Sequence, residues 1–304
     1  MTRQHPVRRL AALVRRHAPA PVLGAIRRAV HAWGMLTARW RMQPAVLVVG
    51  AQRAGTTTLF RVLNAHPQVA RPTAAKGIGY FDVNHHRGAR WYRAHFPVTA
   101  LARRRHGPGV ITFDSSGYYL FHPLAPGRIA HELPDVRVIV MVRDPVERAY
   151  SAYKHEHARG FETEDFATAL ELEDERLAGE VDRIVAEPTY ESFHHRHHAY
   201  RGRSRYSEQI ERYREALGAD RVHVADADEF FVDPVGEFAR IERFLGLTPW
   251  QPESVERWNA RPGSPLDPDV RRRLDEEFAP YDERLAQQMG RTPRWRRTSP
   301  RGNA

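Results

Sequence analysis

The chain has no cysteine in 304 residues, which excludes disulfides, zinc–thiolate sites and thiol catalysis. No apolar run approaches the ~18 residues that a membrane span needs. The first residues are too interrupted by arginine to read as a signal peptide. Together these absences predict a cytoplasmic protein. Lysine is nearly missing as well: Lys76 and Lys154 are the only two, so arginine carries almost all the positive charge.

The formal net charge of +10 is concentrated at the ends. Residues 1–42 hold nine arginines and no acid, and residues 290–304 hold five arginines and no acid. That leaves 33 basic residues against 37 acids in 43–289. A slightly acidic body argues against nucleic acid as a partner, while basic ends suit an anionic surface. The organisation expected is a basic extension over 1–42, a single α/β domain over 43–290 and a basic tail over 291–304. After Pro21, the residues Val22, Leu23, Ile26, Val30, Trp33 and Leu36 recur at helical spacing among arginines. Two readings stay open for this helix: peripheral contact with a membrane, or packing on the body.

The body is organised around Ala45–Leu59, AVLVVGAQRAGTTTL. Ala45 to Val49 read as a buried strand ended by Gly50, and Gly55-Thr56-Thr57-Thr58 open a helix. Strand, glycine-bearing turn and helix start form a phosphate cradle, with backbone N–H groups and the positive helix end aimed at one anion. The usual triphosphate loop places a lysine after its second glycine. Here Thr56 fills that place and the cation, Arg53, lies inside the loop. A ligand with one charged 5′ group suits this better than a triphosphate.

Val136 to Val142, VRVIVMV, is a second strand, apolar enough to be covered on both faces. It is broken by Arg143-Asp144-Pro145, with Pro145 in the first turn of the next helix. Shorter strands are expected at Val110–Phe113, running into an Asp114–Gly117 turn, and at Val222–Ala225. A final helix is expected over Asp269–Met289. Alternating strands and helices predict a P-loop-type parallel sheet flanked by helices, with ligands at the carboxyl ends of the strands. The cradle on one strand end, and Arg143 and Ser151 (with Arg148 nearby) on another, suggest a nucleotide phosphorylated at both ends.

VVGAQRAGTTTL followed by VIVMVRDPVERAYSAY resembles the phosphosulfate- and 3′-phosphate-binding elements of the PAPS-dependent sulfotransferases. The similarity is greatest to the glycan-type, heparan sulfate sulfotransferase-like branch. It extends through KGIGYFD, DSSGYYL and RVHVADADEFFVDPVGEFARIERFLGL to PYDERLAQQMGR. The resemblance implies transfer of a sulfuryl group from PAPS to a hydroxyl or amine of a glycan or glycolipid, releasing PAP and needing no metal. It places Gly50, Gln52, Arg53, Ala54, Gly55, Thr56, Thr57 and Thr58 around the 5′-phosphosulfate. Arg143 and Ser151 fall at the 3′-phosphate, with Tyr206 close by and Arg261–Pro265 as a further loop. Arg53 takes the catalytic slot of the lysine that shields the bridging oxygen.

One part of the pattern is missing. The glycan-type motif Lys-Glu-x-His-[Phe/Tyr]-Phe-Asp carries the acceptor's base in its Glu, and this chain reads Lys76-Gly77-Ile78-Gly79-Tyr80-Phe81-Asp82. Glycine takes no proton, so Asp82 is the leading candidate base, with Asp114 behind it and the His85-His86 pair after that. His194 and His198 stand i, i+4, but the absence of a further ligand motif favours a histidine patch over a metal site. The rivals to a sulfotransferase are an ATP- or GTP-dependent kinase and a non-catalytic nucleotide-binding relative without the Glu.

Overall fold

The computed structural model describes residues 20–73, 76–252 and 265–297. Four parallel strands form its sheet: β1 (Val46–Gly50), β2 (Phe113–Ser115), β3 (Arg137–Val142) and β4 (Val222–Asp226), in the order β2-β1-β3-β4. Every residue of β1 is buried, and so is all of β3 after Arg137, as two-sided burial of a parallel sheet requires. The register sets Val46 beside Phe113 on one side and Arg137 on the other, which brings the carboxyl ends of β1 and β3 to one rim. Ala51, the first residue past β1, donates to the Met141 carbonyl at 2.7 Å, extending this pairing into the loop.

The helices that matter below are α1 (Ala20–Leu36), α2 (Thr56–Ala65), α3 (Gly88–Arg93), α4 (Thr99–His106), α5 (Ala125–Glu132), α6 (Pro145–His157), α7 (Phe193–His197), α8 (Tyr206–Leu217), α9 (Ala227–Val232), α10 (Pro234–Leu245) and α11 (Pro268–Met289). Helix α2 follows β1, α6 follows β3, and α9 and α10 follow β4, so each strand feeds its covering helix. One core joins the sheet to α2, α5, α8 and α10. A second, built from Val146, Ala149, Phe166, Leu170, Leu274 and Phe278, seats α11 against α6.

The strands expected at 136–142 and 222–225 and the last helix form within a residue of their expected bounds. The short strand does not. It begins at Phe113 and runs into the expected turn, because Asp114 and Ser115 pair with Leu47 and Val48. A carboxylate is tolerated there since Tyr92, Tyr119 and the Ser115 amide all donate to it. Residues 162–187, acid-rich and without period, form short helices over Phe166–Glu171, Glu173–Leu177 and Glu180–Ala186. Glu162 and Glu173 are buried and act as anchors. Glu162 accepts two bonds from Arg176 and one from the Tyr200 hydroxyl, and Glu173 accepts the backbone amides of Tyr200, Arg201 and Gly202.

Candidate active site

The cradle is shaped by backbone before any side chain acts. A Cβ on Gly50 would sit 2.7 Å from Leu120 Cβ, so only glycine lets the loop leave β1 here. Arg53 (φ 70°) is the one non-glycine in left-handed conformation among the described residues, and Gly55 follows at φ 77°. Helix α2 therefore starts at Thr56 with no side-chain cap, its N-terminal end turned to the rim. Ala54 and Thr58 are buried beneath the loop, where the Thr58 amide donates to the Gly55 carbonyl at 2.9 Å.

Two cations converge on this loop. Arg53 Nε donates to Ser151 Oγ at 3.1 Å. Lys76 Nζ donates to Thr56 Oγ1 at 2.7 Å and to Thr57 Oγ1 at 3.0 Å, so a lysine reaches the helix start from a distant segment. Burial, with the Arg53 charge adding to it, lowers the Lys76 ammonium to about 8. Sequence reasoning passed over Lys76 as a binding residue. The available signals were its place as the lysine of the Lys-Glu-x-His motif and its rarity in a chain that otherwise uses arginine.

The second strand end lies beside the first. Asp144 caps α6 by accepting the Val146 and Glu147 amides, and Arg271 of α11 holds both Asp144 and Glu147. Among the described residues Arg143 keeps one loose 3.5 Å contact, with Glu147, and remains 30 % exposed in its side chain. Ser151 faces Arg53 from two turns along α6. Tyr206 is buried at the start of α8, with its hydroxyl toward the Arg143 backbone. Arg148 is fully buried, donating to Ser204 Oγ and the Tyr200 carbonyl. It fastens the 200–204 segment to α6 instead of joining Arg143 at the surface. Residues 261–264 of the further loop lie outside the described residues.

The candidate bases occupy unlike surroundings. Gly77 (φ 88°) has open space where a Cβ would go, whereas on Gly79 (φ 67°) a Cβ would sit 2.8 Å from Asp82 Oδ1. Two left-handed glycines thus fold the segment back and admit the Asp82 carboxylate. Asp82 accepts the Val83 amide and the Ser116 hydroxyl. Burial raises its pKa, while those two bonds and the Arg196 and Arg128 charges oppose the rise. Asp114 is 1 % exposed, with Tyr92, Tyr119 and the Ser115 amide closing around it and burial raising it to about 6. Asp82 is also buried, at 4 % exposure, so the two carboxylates differ chiefly in partners: two tyrosine hydroxyls and an amide close around Asp114. His85 is engaged by Glu132 at 2.6 Å.

Beyond Asp82 a polar wall leads back to the cradle. The buried Arg203 donates to Gln52 Oε1 and lies over the Tyr118 and Phe121 rings. Gln52 donates weakly to Glu156 Oε1 at 3.4 Å, and Glu156 Oε2 contacts His197 Nδ1 at 2.9 Å. His195, brought down to about 3 chiefly by burial, is a neutral ring bonded to the Tyr118 hydroxyl. His194 and His198 are 2.9 Å apart at Nδ1, a hydrogen bond between rings. Arg203 and Glu156 carry no sequence motif that would have marked them.

A family model described as "Sulfotransferase domain" matches residues 43–260. Human heparan sulfate glucosamine 3-O-sulfotransferase 5 is 25% identical over 276 residues, covering 83% of this chain and 74% of that protein. The bovine bifunctional heparan sulfate N-deacetylase/N-sulfotransferase 2 is 28% identical over 218 residues, 68% of this chain but 22% of that longer protein. Among solved structures, a sulfotransferase from Alicyclobacillus acidocaldarius superposes with a TM-score of 0.58 at 29% identity, covering 82% of this chain and 97% of the other. With the family model spanning most of the chain and both strand-end loops inside the match, this protein belongs to the sulfotransferase family, on the side related to the glycan sulfotransferases.

Proposed function

We propose that the donor is PAPS, that the acceptor is a hydroxyl or amine of a glycan or glycolipid, and that Asp82 is the base. The observation that carries the donor reading is the Arg53–Ser151 contact, which makes one continuous anion site of the two strand ends. A nucleotide with a 5′-phosphosulfate and a 3′-phosphate matches that site. Arg53, Lys76 and the N-terminal end of α2 receive the first group; Arg143, Ser151 and Tyr206 receive the second. The residues fit the donor electrostatically, because burial and then the Arg53 charge lower the Lys76 pKa and a bound dianion offsets both.

In this reading Asp82 takes the proton from the acceptor as its oxygen or nitrogen bonds to sulfur, and the bond from sulfur to the phosphate oxygen breaks. Arg53, Lys76 and the cradle amides stabilise the charge left on the phosphate. A carboxylate raised by burial is the better base near neutral pH. The 77–86 segment, Tyr118 and the α7 wall surround Asp82 and form the acceptor side. The names of the relatives support a glycan-type acceptor.

Titration calorimetry with PAP and with ATP tests the donor. PAP is expected to bind at least tenfold more tightly, and a preference for ATP turns the reading to a kinase. Radiolabelled PAPS offered with glycosaminoglycan and glycolipid panels tests the acceptor. Labelled glycan or glycolipid is expected; label moving only to simple phenols or alkylamines overturns the acceptor class.

A further inference from the structure

Helix α1 is fastened to the body along one side. Gly34 meets the Ala94 backbone so closely that a Cβ would lie 2.7 Å from the Ala94 carbonyl oxygen. His31 packs against Trp91 and His95, and Arg90 Nε donates to the Met35 carbonyl at 3.1 Å. Just past the helix, Arg41 is buried and donates to Thr37 Oγ1 and the Phe96 carbonyl. Of the two readings of this segment from sequence, packing on the body is observed, but with the side that is not its apolar stripe.

The outward side is that stripe. Val22, Ile26, Val30, Trp33 and Leu36 recur every three or four residues, which places them in one line along the helix. They are 46 %, 43 %, 54 %, 61 % and 68 % exposed, and Trp40 continues the line at 51 %. Single exposed apolar residues are ordinary, whereas a continuous stripe ending in two tryptophans marks a contact surface.

Charge decides what covers it. Where α1 meets α3, a cleft of about 520 Å³ is lined by Leu36, Arg39, Trp40, Arg90 and Arg93, so arginines open at the end of the stripe. Residues 20–41 and α3, which form this face, hold Arg27, Arg28, Arg39, Arg41, Arg90 and Arg93 and no acid. A second copy placed on this face would set arginine against arginine with no carboxylate between them. A surface apolar within and anionic at its edge matches both features. We propose that α1 docks this protein on an anionic phospholipid bilayer, with the stripe at the acyl boundary and lipid phosphates against Arg39, Arg90 and Arg93. This stands apart from the donor and acceptor reading above.

The test is sedimentation of the full chain with sucrose-loaded vesicles of phosphatidylcholine alone or of phosphatidylcholine with about one third phosphatidylglycerol. Binding is expected to the second and to be at least tenfold weaker to the first. The variant Val30→Glu/Trp33→Glu is expected to reduce binding at least tenfold while PAP affinity stays unchanged, and Arg39→Gln/Arg93→Gln to erase the preference for anionic vesicles. Tryptophan quenching by brominated lipid, in wild type against Trp33→Phe, reports insertion even where the double variant folds poorly. Trp33→Phe is expected to bind normally and to lose much of the quenching. No binding to anionic vesicles overturns the proposal, as does binding that the stripe variant leaves intact. A dimer in solution that the same variant dissociates, without vesicle binding, assigns the face to a second copy and also overturns it.

Discussion

Arg53 in the cradle and Ser151 on α6 are joined by a 3.1 Å hydrogen bond across 98 positions of sequence. The bond ties the loop after β1 to the helix after β3, so the groups expected at opposite ends of a nucleotide are mechanically linked before it arrives. Hydrogen bonds to charged groups are worth about 1.5–3 kcal/mol, so Arg53→Gln and Ser151→Ala should each weaken PAP by roughly ten- to a hundredfold. Because the two side chains touch, the double variant should lose less than the product of the single losses. A calorimetric double-mutant cycle checks this, and strict additivity would mean that the contact does not persist when ligand is bound.

Lys76 sets a pH limit on donor binding. Its folded pKa of about 8 lies below the ordinary 10.5, so the ammonium form is lost as pH rises through 8 in the ligand-free protein. A bound dianion favours that ammonium, and binding above pH 8 therefore takes up a proton. PAP affinity should fall about tenfold between pH 7 and pH 9, a window in which the ligand's own phosphates are already ionised. Lys76→Met should bind PAP more weakly at pH 7 and show a flat profile over the same range. Calorimetry in buffers of differing ionisation enthalpy measures the proton uptake directly.

The cradle, the RDP turn and the parallel sheet were legible because each rests on local chemistry. Apolar runs make buried strands, glycines permit left-handed turns, and Asp144 beside Pro145 caps a helix. Lys76 heads the KGIGYFD motif and Glu156 lies in the last turn of the helix after the RDP turn, but neither they nor Arg203 were legible as neighbours of the cradle, since each reaches it through tertiary packing. The setting of Asp114 was hidden for the same reason. A carboxylate after a strand reads alike in sequence whether it opens to a pocket or sits beneath Tyr92 and Tyr119, and only the fold separates the two cases. Within the acid-rich 162–187 stretch nothing in the sequence marks Glu162 and Glu173, yet they organise the backbone behind the site.

The choice between Asp82 and Asp114 separates catalysis from packing. Asp82 is held by Ser116 and the Val83 amide at the foot of a segment bent by Gly77 and Gly79, and a positioned general base is worth about 10²–10⁴ in rate. Asp82→Asn should lower kcat by that factor and leave PAP binding within about threefold. Asp114 titrates at about 6 in the fold against 3.8 unfolded, so folding favours its protonated form. The stability this confers is present below pH 4 and is lost as pH rises through 6. Asp114→Asn should therefore flatten the stability profile between pH 4 and 6 and keep kcat within about threefold. Gly79→Ala supplies the third arm, because the new Cβ meets Asp82 Oδ1 in a backbone conformation that disfavours alanine. It should lower kcat while sparing PAP affinity. Denaturation midpoints and single-turnover transfer rates on the three variants read all of these outcomes. Equal loss of kcat in Asp82→Asn and Asp114→Asn would assign the effect to the shared aromatic core, and full activity in Asp82→Asn would remove Asp82 as the base.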